Sequence, residues 1–154
     1  DGSSALGDID NDENLDLVIT GDEYFSNDPV AKVYVGDGSG GFPEANADLV
    51  GVSAGSSTLG DVNNDGNLDL VITGISSSGQ SAKVYLGDGS GGFAEANAGL
   101  TGVAGSGSSS TLGDVDGDGN LDLVITGKDE ESRSAADAER RQRLSSGTLS
   151  RTDS

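Results

Sequence analysis

The amino-acid sequence predicts an all-β chain built from tandem four-stranded antiparallel units, two of them complete and a third partial. Three observations predict it. One pattern, GDIDNDENLDLVITG at 7–21, recurs at 60–74 and 113–127, with its first Asp at 8, 61 and 114, a step of 53 residues. A period of that size marks one supersecondary unit that buries its apolar face against its neighbours. The apolar runs are short, β-branched and bounded by Gly, as strands are. Only 32% of the 154 residues are hydrophobic, 26 are Gly, and Trp, Met, Cys and His are absent. That composition suits a thin strand-and-turn architecture in which bound metal takes the place of missing apolar burial.

Each unit opens on a short strand: 2–7 parallels 56–60 and 109–113. An Asp-rich loop follows, then Leu-Asp-Leu-Val-Ile-Thr-Gly (15–21, 68–74, 121–127), whose apolar run is too short for a helix and is expected to be a strand buried on both faces. The next segment, 22–30 in the first unit and 75–81 in the second, differs by two residues in length, which marks the surface loop of a hairpin. AKVYVG (31–36) and AKVYLG (82–87) form an alternating strand running into the turn DGSGGF (37–42, 88–93). No helix start or P-loop lysine follows that Gly-rich turn, so a hairpin is expected there and not a phosphate cradle. Phe42 and Phe93 are expected to plug the space between adjacent units. Four strands in 53 residues is the size and content of one propeller blade. The domain boundaries are therefore repeat 1 at 1–53, repeat 2 at 54–106, a partial repeat 3 at 107–127 and a charged, Ser-rich tail at 128–154, helical or disordered.

The Asp-rich loops carry the chemistry. Oxygen side chains fall at loop positions 1, 3, 5, 7 and 9: Asp8, Asp10, Asp12, Asn14 and Asp16; Asp61, Asn63, Asp65, Asn67 and Asp69; Asp114, Asp116, Asp118, Asn120 and Asp122. Alternate residues of a tightly coiled segment converge on one hard cation, and Ca2+ takes about six to eight oxygens. Position 7 is expected to contribute its backbone carbonyl, and a Gly at position 6 permits the sharp turn. Asp, Asn and Gly also dominate ordinary turns; the threefold recurrence favours calcium, with up to three ions, one per repeat. Glu13 stands where the other loops have Gly66 and Gly119, and Asn63 replaces a carboxylate, so 114–122 is the best-formed loop and 8–16 is expected to be the weakest or the most distorted.

The order GDxxxDGxxDLVITG and then AKVYLGDGSGGF resembles the FG-GAP or VCBS-type repeat, the calcium-binding blade of integrin α-subunit propellers and of many secreted bacterial proteins. The resemblance covers residues 1–127. It implies a β-propeller blade with Ca2+ in the loop between its first two strands, and it carries the family's ligands onto the loop positions named above. Propellers close with about four to eight blades, so two and a half units leave open edges. Three arrangements meet that need: a longer parent protein, several chains completing a ring, or head-to-tail stacking into a filament.

The net charge is −19. All of it lies in 1–127, where 21 acidic residues face two basic ones, while 128–154 holds six of each. Nucleic acid and anionic membranes are poor partners for such a body, and no apolar run is long enough to span a membrane as a helix. Within the tail, Asp137/Arg141 and Glu139/Arg143 have helical i,i+4 spacing; both a segment docking on an acidic unit through Arg140, Arg141 and Arg143 and a solvated tail fit it. Catalysis has little support, because there is no His, no Cys and no nucleophile motif. The expected function is a secreted or cell-surface, calcium-stabilised structural or adhesive module that self-assembles. The alternative is a lectin-like glycan binder, or a piece of a larger propeller, with Tyr24 and Phe25 as the plausible aromatic platform. Low-affinity calcium sites suit extracellular conditions, and a processed secreted product or an excised piece would both account for the missing initiator Met.

Overall fold

The computed structural model describes residues 2–128. The 128–154 tail, apart from Lys128, lies outside the described residues. Ten strands form three antiparallel sheets in chain order. The first sheet contains β1 (Ser3–Gly7), β2 (Asp16–Asp22), β3 (Pro29–Tyr34) and β4 (Glu44–Ala45). The second contains β5 (Ser53–Gly60), β6 (Asp69–Ser76), β7 (Gly79–Gly87) and β8 (Phe93–Ala96). The third has β9 (Ala104–Gly113) and β10 (Asp122–Lys128). Spatial order equals sequence order in each sheet, so every unit is an up-and-down meander, and the three sheets do not close into a barrel.

Registers repeat from sheet to sheet. Leu6 pairs with Leu17, Leu59 with Leu70 and Leu112 with Leu123. Because side chains alternate across a strand, this places Asp16, Val18 and Thr20 on one face of the first sheet, where all three are buried. That face meets the opposite face of the second sheet, and Ile9, Val18, Val33 and Val52 pack with Leu70, Ile72 and Tyr85 in one core. The Tyr85 hydroxyl accepts a 2.9 Å hydrogen bond from the Val50 backbone N–H, so the phenol is satisfied inside the junction. Its burial pushes the Tyr85 pKa up.

The junctions also interlock polar groups and backbone. Ser3 Oγ accepts from the Ser57 backbone N–H at 3.1 Å and lies 3.2 Å from Ser57 Oγ, while Ser110 Oγ donates to Ser56 Oγ at 3.1 Å. Gly7, ending β1, is where the Leu59 and Leu68 side chains arrive; Gly60, ending β5, receives Leu112 and Leu121 in the same way. A Cβ at either glycine would clash with the incoming leucine.

Two expectations need correction. The Leu-Asp-Leu-Val-Ile-Thr-Gly run is buried on both faces only in β6; β2 alternates between buried and half-buried, and β10 is mostly exposed. The middle sheet is sandwiched and its neighbours are not. Phe42 does not plug a junction: it is 45% exposed and its ring stands against Gly36 of its own unit. Phe93 sits against Gly87 and is half-buried against the core between the first two sheets, as expected of it. Both rings stand against the glycine just before their own DGSGGF turn.

Candidate metal centre

Each Asp-rich loop winds around its first carboxylate. Asp8 accepts from the backbone N–H groups of Asp12 and Glu13 at 3.0 Å each. Asp61 accepts from Asp65 and Gly66, and Asp114 from Gly117, Asp118 and Gly119. Position 6 has positive φ throughout: 71° at Glu13 and 90° at Gly66 and Gly119. Glu13 therefore takes a conformation that disfavours a side chain by about 1–2 kcal/mol, as expected of the least regular loop.

Among the described residues, two carboxylate trios come together: Asp8, Asp10 and Asp16, and Asp114, Asp116 and Asp122, each with oxygens within 4.8 Å of one another. Loop positions 1, 3 and 9 thus converge. In the second loop the same positions hold Asp61, Asn63 and Asp69, so one carboxylate gives way to an amide. Position 5 lies beside position 3 and accepts from neighbouring amides. Asp12 accepts from the Asn14 backbone and side-chain amides at 2.8 Å each, Asp65 from Asn67 N–H and Asn63 Nδ2, and Asp118 from Asn120 N–H. Those donors hold the carboxyls of Asp12, Asp65 and Asp118 below the ordinary range.

The residue types fit a hard cation. Asp10 Oδ1 is buried and has no hydrogen-bond partner among the described residues. Desolvation, followed by the charges of Asp12 and Asp16, raises the Asp10 pKa. An oxygen that has lost water and gained no donor is what a cation would satisfy.

Position 9 has a second duty. Asp16 is fully buried; its Oδ2 accepts from Ile9 N–H and its Oδ1 from Gly36 N–H, both at 2.7 Å. Asp69 repeats this with Val62 and Gly87 at 2.8 and 2.9 Å. One carboxylate thereby ties the loop entry to the end of the third strand. Asp122 accepts from Val115 N–H at 2.9 Å, the loop half of the same clamp.

The family model described as "FG-GAP-like repeat" matches residues 8–72 and again 61–125, most of the chain. The chain belongs to the FG-GAP-like repeat family. Both matches begin at the first loop Asp, run through a whole FG-GAP-like unit and end on the second strand of the next one. Comparison with curated proteins and with solved structures found no match.

Position 4, outside the ligand pattern, bonds to position 7, which is within it. Asn11 Nδ2 donates to Asn67 Oδ1 at 3.1 Å, and Asn64 Nδ2 to Asn120 Oδ1 at 2.7 Å, so position 4 of one FG-GAP-like loop grips position 7 of the next. Position 4 has φ of 60° at Asn11, 59° at Asn64 and 79° at Gly117. Asn and Gly at one loop position are the residues that tolerate left-handed backbone, and that signal was present in the sequence.

Proposed function

We propose that this chain is a calcium-stabilised structural or adhesive FG-GAP-like repeat module that works outside the cell or at its surface by assembling with like units. The observation that carries the reading is the convergence of carboxylates at positions 1, 3 and 9 of repeated loops, with a buried Asp10 oxygen left without a donor. Asp8, Asp10 and Asp16 would hold one Ca2+ and Asp114, Asp116 and Asp122 another, with Asp61, Asn63 and Asp69 as a third site that has one carboxylate fewer. Calcium supplies charge neutralisation and links each loop to the strand that follows it. Because the free loops repel themselves, metal binding then adds to folding free energy. The test is thermal unfolding with calcium titrated in and chelated out, beside isothermal titration calorimetry. A melting temperature that rises with calcium and a calorimetric signal that Asp10→Asn diminishes are expected. No binding heat and no shift in melting would refute the calcium role.

A second reading has one observation in its favour. Tyr24 and Phe25 project from the β2–β3 hairpin at 87% and 93% exposure, their rings edge to face at 5.1 Å. Large exposed aromatics mark contact surfaces, and a glycan or an extracellular protein segment is the natural occupant. A glycan array read with wild type and with Tyr24→Ala/Phe25→Ala decides this reading: loss of specific spots in the variant supports it, and a blank wild-type array rejects glycan.

A further inference from the structure

The two junctions inside the chain are built from the same positions, and both end faces of the described structure carry the unmatched halves of that junction. At the first, Ile9 and Val18 are buried against the second sheet. Their equivalents on the last sheet, Val115 and Val124, are 70% and 45% exposed, and a Cβ built on Gly113 meets open space among the described residues. On the first sheet the reverse holds. Leu59 and Leu68 arrive on Gly7, whereas their equivalents Leu6 and Leu15 are 61% and 60% exposed. The hydroxyl ladder is interrupted at the same two places: Ser57 and Ser110 are buried in their junctions, but Ser4, their counterpart, is exposed, as is Ser109, the counterpart of Ser3 and Ser56.

We infer that a second copy of this chain docks head to tail, the Leu6/Leu15 face of one copy seating on the Gly113/Val115/Val124 face of the next in the register of the internal junctions. This rests on the proposed role by assembly and names its surfaces. The occupant is argued from continuity: the partner for Leu6 and Leu15 is the surface that their equivalents already occupy twice in this chain. The faces are different, so the contact is heterologous; it makes rings if the rotation closes and filaments if it does not. Both partners are acidic, so higher salt strengthens the association by screening, the opposite of an ion-paired interface.

One element of the junction is missing. The amide bridge from position 4 to position 7 would run from residue 117 of one copy to Asn14 of the next, and residue 117 is Gly. Its φ of 79° is close to that of Asn11 and Asn64, so Asn fits there without rearrangement. Gly117→Asn is therefore a gain-of-association variant, expected to tighten the contact by about two- to tenfold, the worth of one hydrogen bond.

The experiment is analytical ultracentrifugation of the full chain in calcium over a concentration series, at physiological and at high salt. Leu6→Glu/Leu15→Glu blocks one face and Val115→Glu blocks the other; all three positions are exposed, and circular dichroism verifies folding. Each blocked chain is expected to lose association by about tenfold or more, and an equal mixture of the two to form a discrete dimer through the one intact pair of faces. A monomeric wild type overturns the inference. So does association that survives either block, or a mixture that does not pair. A calcium-dependent rise in melting temperature that persists in a monomeric chain leaves the calcium role standing and removes only this contact; head-to-tail pairing indifferent to chelator does the reverse.

Discussion

The strands β2, β6 and β10 begin with the same Asp-Leu-Val-Ile-Thr-Gly, yet they have three different environments. In β6 those residues are buried on both faces; in β2 only Asp16, Val18 and Thr20 are; in β10 every residue is half-buried or exposed. Local sequence determines that each run is a strand, since the pairing Leu59 with Leu70 recurs at Leu6 with Leu17. What each strand contributes to stability depends on how many neighbours it has. Identical hexapeptides thus differ in energetic weight through context alone.

The largest break of that comparison is Leu70→Ala, which empties a fully buried position between the first two sheets. A loss of about 2–5 kcal/mol is expected, against about 0.5 kcal/mol or less for Val124→Ala on the end face, measured at concentrations low enough to keep the chain dissociated. Urea unfolding of the two variants measures both; equal losses would mean that β10 is covered as well as β6.

Next comes the clamp. Asp69→Asn replaces one of the two buried acceptor oxygens, which serve Val62 N–H and Gly87 N–H, with an NH2 donor that faces a backbone donor. About 2–3 kcal/mol is expected to be lost, and measuring in excess chelator separates this from any metal effect. Asp122→Asn, which disturbs the single bond from Val115, is expected to cost less under the same conditions. A reversed order would refute the clamp.

A smaller effect sharpens the difference between loops. Asn63→Asp converts the second loop to the carboxylate set of the other two. Calcium is expected to stabilise this variant more than wild type, and chelator to leave it slightly less stable, because a third like charge then stands unopposed. Paired melting curves with and without calcium test both signs.

The smallest effect concerns acid. Ser39 N–H and Oγ, with Gly41 N–H, lower the Asp37 pKa, and Ser90 with Gly92 does the same for Asp88. A carboxyl whose folded pKa is depressed contributes stability above its unfolded value, near 3.8, and loses it as pH falls through the lower folded value. Asp37→Ala and Asp88→Ala are thus expected to flatten the acid limb of stability below about pH 4. An unchanged limb would show that other carboxylates govern it.

Much of the fold was legible in the sequence because repetition and strand periodicity are local signals. The 53-residue step at Asp8, Asp61 and Asp114, the hairpin at 37–42 and the loop of unequal length at 22–30 all follow from short-range chemistry. The site was legible in part. Positions 1, 3 and 9 come together in the first and third loops, and alternation alone could not reveal that the carboxylates of Asp12, Asp65 and Asp118 also accept from neighbouring amides. The Asn11–Asn67 bridge joins residues 56 apart and depends on how one unit sits upon the next. Phe42 stands against Gly36 of its own hairpin, a tertiary placement that the repeat pattern did not specify.

Each sheet is a meander whose strands pair only with their sequence neighbours, and each connection is short. Such a chain forms its pairings over small loops, so any unit is able to nucleate and growth passes to the adjacent one. Dissolution runs the other way, fraying inward from whichever sheet has a bare side. In hydrogen exchange, the amides of β6 are the last to surrender their protons, and the measured delay between β6 and β2, each paired on both edges in a four-stranded sheet, is a readout of what one nearest-neighbour interface is worth.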